Sequence, residues 1–324
     1  MVHVKLLSPF PGKLNPFLQL AEDSTALWMS RYGLLPTDRE RRMNGEGNFT
    51  WMVARMFPHA DLERLCVASD FNALLFLLDD DFDGHQTKGM KSRMFKGMVN
   101  SMISIMENTA APVDSAVLTG FADIWHRLMA ISTQVWQHRF KASLKAALQA
   151  NLWRMEIVDR DVSPDLSEYL KFRPMIGGAN FFAYLLLVME QIDLPDYVYE
   201  NCTMQRLMHL AASTICWAND IFSFRKELAE GDELNLVMLL RRERGGSIKE
   251  AVHAAVRFHD KWVKEFIQLG WNPPVFGDTL VDAEVVRFTQ GLGVMMNANI
   301  VWSTVDTQRY RFVPLLNRPV VRIR

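Results

Sequence analysis

"MQRLMHLAASTICWANDIFSFRKELAEG", residues 204–231, decides the class of fold. Its apolar residues recur at three- and four-residue steps, the period of a helix with one face turned inward. Gly231 supplies the stop, because glycine accepts the left-handed backbone that ends a helix. Working outward, "DLERLCVASDFNALLFLLDD" (61–80) has the same period, with Leu62, Leu65, Cys66, Phe71, Leu74, Leu75 and Leu78 on one stripe. Pro58 precedes that stripe and Asp61 is its candidate N-cap. Helical spacing also covers roughly 97–109, 115–150, 166–171, 179–190, 248–268 and 281–306, with breaks at "GDEL", "RGGS" and "NPPVFGD". Sustained period-two alternation is scarce, so the expected fold is all-α. Residues 1–20, with Pro9, Pro11 and Pro16, read as irregular; 21–312 read as one helical bundle enclosing an apolar cavity, and 313–324 as a tail.

Composition excludes more than it identifies. The chain has 324 residues, is 49% hydrophobic and carries a formal net charge of -1, so no basic surface for nucleic acid is expected. No signal peptide is recognised, and no stretch approaches the roughly 20 apolar residues of an integral membrane segment. Cys66, Cys202 and Cys216 are odd in number and lack metal-site spacing, which suggests a reduced, cytoplasmic setting. CxxC, HExxH, GxSxG and P-loop motifs are all missing, and most common enzyme classes go with them.

Two polar constellations interrupt the helices. "LLDDDFDGHQ" (77–86) sets Asp79, Asp80, Asp81 and Asp83 at the C-terminal end of an oily helix, where the macrodipole disfavours anions. Bulk water or a cation must compensate them. An EF-hand loop fails, because its closing bidentate Glu would fall on Met90. Kept helical, Asp79 and Asp83 stand at i and i+4 with Cβ atoms about 6 Å apart, able to share a hard cation. Mg²⁺ suits such a pair and is normally completed by phosphate oxygens, so a phosphorylated partner is expected. The second set lies inside the opening stretch, where Asn219, Ser223 and Glu227 step by four along one oblique line with Lys226 beside it. Asn and Ser within a long apolar helix are unfavourable unless paired, and hydrogen bonding to neighbours is the plain structural alternative.

With both sets in view, the chain resembles the compact single-domain microbial class I terpene synthases. "DDDFD" fits the aspartate-rich DDxxD motif through Asp79, Asp80 and Asp83, and "NDIFSFRKE" fits NDxxSxxxE. The family's diphosphate-sensing arginine position falls on Arg173 in "KFRPMIGG", with Ile176 and Gly177 at the linker and effector positions that follow. Its late Arg–Tyr pair is matched by Arg309 and Tyr310.

This resemblance implies a prenyl diphosphate substrate, with farnesyl diphosphate the first choice, and three Mg²⁺ ions. It also implies a cyclised terpene hydrocarbon or alcohol as product, and dimers are frequent among similar enzymes, so a homodimer is possible. Asp79, Asp83, Asn219, Ser223 and Glu227 would hold metal; Arg173, Lys226, Arg309 and Tyr310 would meet the diphosphate. Phe76 and Trp302 would line the cavity and face a carbocation, worth about 0.5–2 kcal/mol per ring. Such a cation is quenched by water, so a dry pocket is expected, and diphosphate itself is the reasonable final proton acceptor. Asp220 is expected to fix its helix through a salt bridge or hydrogen bond. A chain-elongating prenyl transferase would need a second aspartate-rich motif where this chain has Asn–Ser–Glu. The remaining alternatives are a diterpene synthase using geranylgeranyl diphosphate and a non-catalytic helical metal- or partner-binding protein.

Overall fold

A computed structural model describes residues 4–35, 37–83, 88–109, 115–160 and 162–310. Their regular secondary structure is helical: α1 (Leu18–Arg31), α2 (Asp38–Gly47), α3 (Phe49–Met56), α4 (Leu62–Asp83), α5 (Lys88–Met106), α6 (Ala116–Ala130) and α7 (Gln134–Arg160). Then follow α8 (Leu166–Ile176), α9 (Ala179–Met189), α10 (Asp196–Glu200), α11 (Cys202–Glu230), α12 (Leu236–Arg244), α13 (Ile248–Trp271) and α14 (Thr279–Val301). A π-helical turn, Trp302–Asp306, closes the last helix.

Helix boundaries follow local chemistry. Asp61 does cap α4, its Oδ1 accepting from Arg64 N at 2.9 Å. Asn201 caps α11 by accepting from the amides of Thr203 and Met204, and Gly231 ends that helix at φ 82°. The stretch read as one helix over 115–150 is two. Ser132 returns its hydroxyl to Leu128 O at 2.6 Å, and Thr133 caps the next helix by accepting from Trp136 N. Helix α8 carries Pro174, which cannot donate its backbone bond and stops the helix within two residues. Gly178, at φ 72°, turns the chain into α9. Residues 166–189 are apolar enough on average for a membrane crossing, but they form these two broken helices, and most of that surface is buried.

Helix α11 is the axis of the bundle, packed by α13, α14, α9 and α8. The core on one side is aromatic: Phe71, Phe140 and Phe181 meet with ring centres 5.7–6.2 Å apart, and Trp136 stacks on Phe140 at 4.5 Å. Each fully buried ring or branched side chain contributes about 1.5–3 kcal/mol. A second cluster, built from α12 and α13 around Trp217, props the C-terminal half of α11 from behind. Between α4, α7, α8, α9, α11 and α14 a space stays unfilled, and the candidate site opens there.

Candidate active site

A cavity of about 240 Å³ is lined mostly by apolar side chains, and both polar constellations reach it. Asp79 arrives from α4; Asn219 and Glu227 arrive from α11; Arg173, Ile176 and Gly177 arrive from the end of α8. Residues distant in sequence thus share one hollow. The side chain of Asp83 lies outside the described residues, although its backbone ends α4.

The α11 side is held by a buried network. Asp220, 1% exposed, accepts from Arg173 Nε at 2.8 Å, from Tyr169 OH at 2.7 Å and from Leu236 N at 3.1 Å. Burial disfavours the Arg173 charge, yet Asp220 outweighs it and keeps the guanidinium firmly protonated. Asp220 therefore does fix its helix by ion pair and hydrogen bonds. Arg173 Nη2 also donates to Asn219 Oδ1 at 3.0 Å, and Asn219 Nδ2 donates to Tyr310 OH at 3.1 Å. The Tyr310 hydroxyl accepts there and keeps its own hydrogen for another acceptor.

Glu227 is the electrostatically costly member. Burial, and then the Asp220 charge, push its carboxyl up from 4.5 to about 7, although Asn235 Nδ2 donates to its Oε2 at 2.7 Å. Ser223 lies near enough to favour the ionised form, but its buried Oγ makes no hydrogen bond of good geometry among the described residues. A buried carboxyl short of positive charge, an unsatisfied hydroxyl and an amide oxygen with a second lone pair form a hard-oxygen donor set. Those residues fit a divalent cation. Among the described residues no three His, Cys, Asp or Glu side chains cluster, as expected where Asn and Ser supply part of the set.

Across the cavity, Asp79 is 48% exposed on its side chain and stands 3.6 Å from Arg154 Nη1. The same guanidinium donates to Asp232 Oδ2 at 2.7 Å. Burial would raise the Asp232 carboxyl; Arg154 overrides that and holds it below the usual carboxylate range. Arg154 thereby ties the aspartate-rich end of α4 to the loop after α11.

The remaining expected residues stand around this core. Lys226 pairs with Glu230 at 2.9 Å, one turn along the outer edge of α11. The Arg309 guanidinium lies 5.4 Å and 5.5 Å from the ring centres of Phe76 and Phe49, which stack 4.1 Å apart. Phe76 lines the cavity. Trp302, expected beside it, does not: it is fully buried behind Phe76 at 5.5 Å, its indole N–H tied to the Gly47 and Asn48 carbonyls at 3.0 Å. Satisfying that N–H in the wall turns the ring away from the hollow. At Gly177 an added Cβ would meet Arg173 Nη1 at 2.5 Å and Cys216 Sγ at 2.6 Å, so only glycine leaves the Arg173 guanidinium where it lies.

Sequence reasoning missed Arg154, Asp232, Tyr169, Asn72, Asn151 and Asn299, all of which line the cavity. Tyr169 was within reach, standing one helical turn before Arg173 on the same face. Asp232 directly follows the stop at Gly231. The rest are single polar residues on long helices, and their inward direction is set by packing.

The profile described as terpene synthase family 2, C-terminal metal binding, matches residues 70–265. The (+)-T-muurolol synthase of Roseiflexus castenholzii, named as cyclising (2E,6E)-farnesyl diphosphate, is 30% identical over 305 residues, 94% of this chain and 93% of that one. The 10-epi-cubebol synthase of Sorangium cellulosum is 27% identical, covering 95% of this chain and 98% of its own. In fold, the crystal structure of an α-eudesmol synthase superposes with a TM-score of 0.84 at 24% identity, over 93% of this chain and 99% of that one.

Proposed function

This chain belongs to the terpene synthase family and carries its metal-binding domain, and from that premise we propose that it ionises and cyclises farnesyl diphosphate. The observation that carries the proposal is that Asp79 and Glu227, far apart in sequence, line one apolar cavity whose polar end also holds Arg173 and Asn219. The C15 substrate takes precedence over C20 because a similar full-length relative is named for cyclising farnesyl diphosphate. Three magnesium ions and a homodimer enter the proposal from the family resemblance, and a cytoplasmic setting from the three cysteines without metal-site spacing.

Asp79, Asn219, Ser223 and Glu227, with Asp83, would hold the magnesium. When bound, it neutralises the diphosphate as negative charge develops on that leaving group. Arg173 and the Tyr310 hydrogen donate to diphosphate oxygens, and Lys226 and Arg309 add positive charge at the same end. Asp220 keeps Arg173 aimed, and Gly177 leaves room for it. The farnesyl chain lies against apolar residues that exclude bulk water, with the Phe76 ring beside the developing cation. No side-chain base is required, since the released diphosphate can accept the final proton.

The test is incubation with C10, C15 and C20 diphosphates and Mg²⁺, with gas chromatography–mass spectrometry of the extract. A cyclic C15 product with diphosphate release is expected; release from none of them overturns the proposal.

A further inference from the structure

The cavity wall is not uniformly apolar. Asn72 on α4 and Asn299 on α14 both line it, although they are only 3% and 1% exposed. Each fastens its amide nitrogen to the wall: Asn72 Nδ2 donates to Phe49 O at 3.1 Å, and Asn299 Nδ2 to Ile215 O at 3.0 Å. A carbonyl can only accept, so each Nδ2 faces its wall carbonyl, and the Oδ1 of each cavity-lining amide is left to accept elsewhere. Among the described residues nothing donates to either oxygen. An amide oxygen without a donor is unfavourable in apolar surroundings, whereas leucine there would carry no such cost. Two such oxygens in one cavity mark a place where water donates.

Depth matters as well. Asn72 precedes Asp79 by two turns of α4, about 10 Å along the helix, so its oxygen lies away from the end where the diphosphate departs. Water there meets the carbocation after the chain has folded back, not at ionisation.

We infer that Asn72 and Asn299 hold water by accepting its hydrogens, and that this water captures the final carbocation, so that the product is a terpene alcohol. The inference rests on the farnesyl diphosphate reading above and goes further by naming the terminating nucleophile. Water whose hydrogens point at the amide oxygens turns its lone pairs toward the hydrocarbon. One lone pair forms the C–O bond, the resulting oxonium passes a proton through further hydrogen-bonded water to the released diphosphate, and no electron donor or acceptor is involved. Farnesyl diphosphate and water become a cyclic C15 alcohol and diphosphate.

The experiment is turnover of farnesyl diphosphate with Mg²⁺ in water enriched in ¹⁸O, for the wild type and for Asn72→Leu and Asn299→Leu. The mass spectrum of the wild-type product should show one heavy oxygen, and each variant should lose most of that labelled alcohol to unlabelled hydrocarbon. The ratio of alcohol to hydrocarbon is read, so a variant with slower turnover still reports. A wild-type product that is hydrocarbon alone overturns the inference while leaving the farnesyl diphosphate reading intact. Labelled alcohol in undiminished proportion from both variants overturns the assignment to these two residues. Absence of diphosphate release from the wild type overturns the underlying reading, and the inference with it.

Discussion

At the scale of single residues, Glu227 shows what the candidate metal site costs the fold. Its carboxyl lies at about 7 inside the protein against 4.5 ordinarily, chiefly through burial, so it favours the folded state only while protonated. The penalty for ionising it grows as pH rises from 4.5 to about 7 and is constant above. Glu227→Gln should therefore stabilise the metal-free protein by about 1–3 kcal/mol near pH 8, with no gain in acid, while abolishing turnover. Chemical denaturation at the two pH values, beside a diphosphate-release assay, checks both halves. Gly177 offers a second residue-scale expectation. Gly177→Ala drives a methyl into the Arg173 guanidinium and Cys216, and a displacement of this kind near reacting atoms lowers kcat by about 100-fold. Circular dichroism should remain near wild type, which separates misplacement from unfolding.

At the scale of elements, the joint between α8, α11 and α12 centres on one carboxylate. Asp220 takes a guanidinium and a phenol from α8 and the first amide of α12. Asp220→Ala leaves Arg173 buried without its partner and should cost about 3–5 kcal/mol, read as a lower denaturation midpoint. Tyr169→Phe removes one hydrogen bond and should cost only about 1–2 kcal/mol. Equal costs would mean that the ion pair is not what joins these helices. The sequence showed α11 and its stop plainly, because a long apolar period ending in glycine has few alternatives. It did not show the break between α6 and α7. No glycine or proline marks 131–133, and the interruption comes from the Ser132 and Thr133 hydroxyls competing for backbone partners.

At the scale of the whole molecule, a polar end built from three helices should tighten when its ligands arrive together. Ligands that bind only the folded state stabilise by mass action, about 2.7 kcal/mol at a hundredfold excess over Kd. Magnesium with inorganic diphosphate should therefore raise Tm clearly, and either alone should do so less. Equal shifts from diphosphate with and without magnesium would argue against metal at this site.

The sequence by itself determined the helical class and the two oxygen-bearing motifs. Each of those is written locally, as a period or a spacing along one helix. Tertiary structure alone decided that Asp79 faces Glu227 across a hollow, that Arg154 spans Asp79 and Asp232, that Trp302 stands behind the wall and that Asn72 and Asn299 stand in it. The physical reason is that helical periodicity states which residues share a face, while the direction of that face depends on how neighbouring helices pack. A polar side chain pointing inward and one pointing outward have the same sequence spacing, and only the packed bundle distinguishes them.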